Sequence, residues 1–172
     1  MSNKTAVLEA VVTGGLPAGS PVNLAAAAPF DLNGTTQSIA ALADISGTGG
    51  SFTNSASVSA RLTINTASTN VFSGVVRDVS TASAIHLVKS GNSTQTLNGA
   101  NSYHGNTTIT GGTLAFGQAT LPTSDSIRIA TGAVLNLNFA GTNQVVGLLL
   151  SALVARNPTN ISYAIKVSTL LE

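Results

Sequence analysis

Six carboxylates and two histidines hold most of the acid–base chemistry open to this chain: Glu9, Asp31, Asp44, Asp78, Asp125 and Glu172, with His86 and His104. No carboxylate adjoins another in sequence. A fold that lays distant stretches side by side can still pair Asp31 with Asp44 for glycoside cleavage. A hydrolase or lyase groove needs a denser cluster, however, and Asp31 and its counterpart Asn136 fit corners, where either side chain caps a turn. His86 lies between Ile85 and Leu87 and in a strand points away from both, toward solvent. His104 sits in a Tyr-His-Gly-Asn corner, and the many serines make accidental proximity to a histidine uninformative about a triad. Two histidines without a cysteine make a poor zinc site, and the acidic glycine-rich nonapeptide that binds calcium is absent. Catalytic, cofactor-binding and metal-binding residues are therefore expected to be none. Tyr103 has two readings, a carbohydrate-stacking platform or a packing position against the next turn of the fold.

The elements that position these residues are short strands. Val22 and Leu24, Phe30 and Leu32, Val58, Leu62 and Ile64, Leu87, and Ile127 with Ile129 alternate with polar or small residues. Between them stand punctuators such as Asn33-Gly34, Gly47-Thr48-Gly49-Gly50, Asn98-Gly99 and Gly111-Gly112. The Ala25–Ala28 run is the one helical temptation, and Pro29 ends it. The 172 residues are 43% hydrophobic but only 8% charged, against about 25% in typical soluble domains. Ser, Thr and Asn make up roughly a third of the chain, a composition of turns and outward strand faces. A net charge of +1 without a basic stripe argues against nucleic acid, and the apolar run from Val145 to Ala155 is too short to span a bilayer. Zero cysteines leave the redox compartment open. The start shows no secretory signal, so the chain is expected to be either a fragment of a longer exported protein or one whose natural signal was removed.

An internal repeat adds organisation. Leu16–Asn33 aligns with Leu121–Asn138, matching Val22 to Ile127, Leu24 to Ile129 and Leu32 to Leu137, and the match resumes at Gly34 and Gly141. The spacing suits a block of several stacked coils rather than one coil. Coils of roughly 20 to 25 residues predict an all-β, right-handed parallel β-helix of about seven coils, one domain over 1–172, with aliphatic residues inside and Ser, Thr and Asn outside.

The stretch Leu97–Leu114 is the most specific part of the chain. Together with the run that begins at Leu87, it resembles the autotransporter-associated β-strand repeat of large secreted or surface-displayed bacterial proteins. Leu87, Lys89, Gly91, Thr94, Leu97, Gly99, Asn101, Tyr103, Gly105, Thr107, Ile109, Gly112 and Leu114 stand at its positions. Ser93 replaces a glycine, and Gln95 replaces an apolar residue, which suggests a looser or more polar rung. The resemblance implies a non-catalytic structural segment in a secreted or cell-surface location.

The ends carry a different pattern. Residues 1–14 hold a possible terminal strand with Val7 and Val11, and residues 151–172 a divergent one with Ile161, Tyr163, Ile165 and Val167 on one face. Such strands either fold back as caps or pair with the next molecule, which would give head-to-tail filaments. The alternative function is an adhesin-like module that binds a glycan or host surface through its polar face.

Overall fold

The computed structural model describes residues 8–118, 122 and 126–137, and within them every regular element is a β-strand. Fifteen short strands wind into about six turns of a parallel β-solenoid, close to the seven expected. Three faces run along the stack. The first holds β1 (Leu8–Glu9), β3 (Pro29–Asp31), β6 (Ser51–Asn54) and β9 (Val75–Asp78). The second holds β4 (Thr36–Ile39), β7 (Ala60–Asn65), β10 (Ile85–Ser90), β12 (Thr107–Ile109) and β14 (Ile127–Ile129). The third is divided between a pair, β2 (Pro21–Leu24) and β5 (Ala41–Asp44), and a sheet of β8 (Asn70–Phe72), β11 (Thr94–Leu97), β13 (Thr113–Phe116) and β15 (Val134–Leu137). The register shows the coil length directly. Phe30 pairs with Phe52, 22 residues on, Leu62 with Leu87, 25 on, and Leu87 with Thr107, 20 on.

Alternation along each strand sends one set of side chains inward, where the parallel register stacks like on like. Phe30 and Phe52 stack with ring centroids 4.6 Å apart, and Phe72, Leu97 and Phe116 line the third face. On the second face one inward column runs Gln37, Leu62, Leu87, Thr107, and the next Ile39, Ile64, Lys89, Ile109. Two glycines show what the corners require. At Gly47, φ is +72°, the left-handed region that favours glycine, with open space around it. At Gly99 a Cβ would lie 1.8 Å from the Gly74 carbonyl oxygen, so only glycine lets the two coils meet there.

The Ala25–Ala28 run is no helix, in line with its reading from sequence, but a turn closed by the Ala28 N–H donating to the Ala25 carbonyl at 3.1 Å. Several expectations need correcting. Val58, expected to open a strand, is an exposed corner residue ahead of β7. The long-range repeat does not return to the same face: Val22 lies on β2 in the third face, whereas Ile127 lies on β14 in the second. Apolar alternation recurs in every strand, so a sequence match alone does not identify the face. Asn136 is likewise mid-strand, paired with Ala115, rather than at a corner. The expected period of Val7, Glu9 and Val11 breaks after Glu9, because β1 ends there and Val11 lies beyond it. Val7, Ile161, Tyr163, Ile165 and Val167, and Asn138–Gln144 of the repeat, fall outside the described residues.

Candidate functional site

The chemistry-bearing side chains gather where the first face turns toward the second. A cleft of about 310 Å³ opens there, lined by Thr53, Asn54, Ser55, Arg77, Asp78 and Val79, at the lower limit of typical ligand sites. Asp78 ends β9, and its carboxylate accepts the N–H of Ile85 at 2.8 Å and that of His104, one coil on, at 2.9 Å. His104 Nδ1 lies 2.5 Å from the other carboxylate oxygen. The Asp78 side chain is fully buried while a third of the His104 side chain is exposed. An aspartate holding a histidine by Nδ1 is the orienting half of an acid–base triad. Among the described residues no hydroxyl bonds to His104, and nearby serines have other partners: Ser55 Oγ donates to Asp31, and Ser80 and Ser83 bond to each other.

The remaining polar groups of this corner bridge coils. Asp31 accepts the Asn33 N–H at 2.9 Å, closing an Asx turn as its corner role predicts, and also the N–H and hydroxyl of Ser55 from the next coil. Burial pushes the Asp31 carboxyl up, but the Ser55 hydroxyl and two N–H donors outweigh this and leave its pKa below the ordinary value. Asn54 accepts the Gly34 N–H from the coil before and donates to Ser83 of the coil after, at 2.7 Å in both cases. Asp44 takes the Ser73 N–H on the third face, so the structure does not bring Asp31 and Asp44 together as an acid pair.

The motif residues do the same work further along the stack. Asn101 Oδ1 accepts the Val76 N–H at 2.9 Å, and the Ser102 N–H donates to the Val76 carbonyl, so an irregular segment continues the first face beyond β9. Tyr103 is wholly buried with its hydroxyl 2.8 Å from Thr107 Oγ1, a packing position rather than an exposed stacking platform. Burial pushes its phenol well above the ordinary range.

Lys89 is also wholly buried, between Ile64 and Ile109 in its column. Its Nζ donates to the carbonyls of Ser90, Gly91 and Gly111 at 2.6, 3.2 and 3.2 Å, and burial lowers its pKa. Sequence reading missed this cation in the core. The signal was its spacing of two from Leu87, which in a strand places both on one face.

Of the looser or more polar rung expected at Gln95, the structure shows the polar one. Gln95 is fully buried, and its amide accepts the Leu42 N–H at 3.3 Å and donates to the Leu42 carbonyl at 2.8 Å. The third face breaks between β5 and β8, and the glutamine supplies there the two bonds that a paired strand would have made. His86 takes its expected outward place, and its Nδ1 accepts the Asn106 N–H at 3.0 Å. Among the described residues no three His, Asp or Glu side chains come together as a metal site.

No curated protein and no solved structure matches the chain. A match to a family model does cover the strands around Lys89, Gln95, Asn101 and Tyr103. Residues 87–116, from β10 to the end of β13, match the passenger-associated-transport-repeat family, and this part of the solenoid therefore carries the autotransporter passenger repeat that its sequence resembles.

Proposed function

We propose that the chain is a rigid, non-catalytic spacer in a secreted or surface-displayed bacterial protein. The observation that carries this reading is the use made of its reactive side chains. Asp31, Asp44, Asp78, Asn54 and Asn101 each bond backbone groups of a neighbouring coil. Carboxylates held by several donors, as Asp31 and Asp78 are, are well suited to holding coils and poorly suited to acid catalysis. The passenger repeat supports a secreted or surface location.

Rigidity can be measured without removing native thiols, since the chain has none. Spin labels on Thr36→Cys and Arg128→Cys flank four strand steps of the second face, a backbone separation of about 19 Å. A single narrow distance distribution is expected. A broad one would mean that the coils flex independently, and the spacer reading would fall.

End-to-end self-association is the second part of the proposal. Leu8, Val11 and Val12 are 62%, 77% and 58% exposed where, among the described residues, β1 pairs only with β3, so apolar surface and a strand edge coincide. Sedimentation across a concentration series, with negative-stain imaging, should show head-to-tail oligomers that Leu8→Lys/Val11→Lys disperses. Monomers at every concentration would exclude this mode.

A further inference from the structure

The carboxylates of the described residues are sorted by face. Glu9, Asp31 and Asp78 belong to strands of the first face, and Asp44 ends β5 on the third. The outer surface of the second face carries no carboxylate at all among these residues. It presents Arg61 and His86 in one outward column, and Thr63, the largely covered Val88, Thr108 and Arg128 in the next. Arg61 and Arg128 are exposed, and neither has a carboxylate within ion-pair reach among the described residues. His86 accepts the Asn106 N–H at Nδ1, which places the proton of its neutral ring on Nε2, as a further donor. A net charge of only +1 conceals this asymmetry, because the aspartates of the described residues are bonded into corners and Lys89 is buried.

Geometry narrows what such a face can hold. Arg61 on β7 and Arg128 on β14 are three strand steps apart, about 14 Å, so a single small anion cannot meet both. A chain with acidic groups at intervals can. Between them the side chains are mostly hydroxyls and amides, which exchange hydrogen bonds with hydroxyl-rich ligands. Phe30, Phe52, Phe72, Tyr103 and Phe116 are all buried, leaving none of them for the base stacking that single-stranded nucleic acid uses. The face also lacks the aromatic anchors of a protein interface.

We propose that the outer second face binds an acidic polysaccharide, with Arg61 and Arg128 pairing its acidic groups and the hydroxyls of Thr63 and Thr108 between them contacting the sugars. The site is independent of the spacer role, since a rigid stack with this face bare is still a spacer. Biolayer interferometry at low ionic strength, with polygalacturonate as the carboxylated probe, heparin as the sulfated one and dextran as the neutral control, tests it. Binding to at least one acidic probe, lost on adding salt, is expected, and the preferred probe identifies the acidic group. Arg61→Ala/Arg128→Ala should weaken that binding at least about tenfold. Arg77→Ala, which removes the same charge from the first face, should leave it nearly unchanged. Three results overturn the proposal: no binding to either acidic probe, equal binding to dextran, or equal losses in the two variants, which would indicate attraction to net charge alone.

Discussion

Gln95 shows how much one buried amide can hold. Its two bonds to Leu42 satisfy a backbone N–H and a carbonyl that the break in the third face would otherwise leave in the core. An unsatisfied buried group costs about 1–3 kcal/mol. Gln95→Ala should therefore destabilise the protein by about 2–5 kcal/mol in urea unfolding, while Gln95→Leu, which refills the volume but not the bonds, should lose less. A neutral Gln95→Leu would show that another group takes over at Leu42. Asp31 and Tyr103 make the stability depend on pH in opposite ranges. The Asp31 pKa is lowered on folding, so its stabilisation is present above the ordinary carboxyl value and lost as pH falls through the folded one. The Tyr103 pKa is raised, so its stabilisation is complete below pH 10.0 and declines as pH rises beyond it. Buried Lys89 acts in the opposite sense below 10.5, so variants rather than the raw curve separate the contributions. In urea midpoints measured against pH, Asp31→Asn should flatten the acid limb and Tyr103→Phe the alkaline limb.

Corners, rather than strands, decide the spacing of the elements. Any strand with alternating apolar residues can stack on its neighbour, but the backbone must come close where coils turn. Gly99→Ala drives a methyl into the Gly74 carbonyl and should cost at least about 2 kcal/mol. Gly47→Ala meets no atom and should cost only the strain of the left-handed region, about 1–2 kcal/mol. Thermal melts of the two variants check the order, and equal losses would mean that the Gly99 corner moves aside. At this scale the strands were legible in sequence. Leu62 and Ile64 in β7, and Leu87 in β10, alternate as expected because strand period is a local property. The face each strand joins was not legible, as β2 and β14 show. Face assignment depends on how many residues each corner consumes, and an apolar pattern carries no record of that.

Over the whole molecule, stability accumulates from coil to coil, since strands pair only with neighbouring coils. Central strands such as β10 are paired on both sides by β7 and β12, whereas among the described residues β1 has β3 alone. Amide hydrogen exchange should accordingly be slowest in β7 and β10 and fastest in β1, with a graded rather than uniform profile. A single uniform protection would mean that the stack opens only as a whole. The same linear architecture keeps the carboxylates of the described residues on the first and third faces, while Arg61 and Arg128 stand on the second and Arg77 on the first.

The sequence by itself determined the strand period and the repeat around Lys89 and Tyr103, because both are written in residues close together along the chain. Tertiary structure alone decided where the acids and amides act. Asp78 meets His104 across 26 residues and Gln95 meets Leu42 across 53, distances set by the number of residues in every coil between them. Corner lengths differ from coil to coil, so residues with no relation in sequence become partners, and groups that resemble a reactive site become the fastenings of the stack.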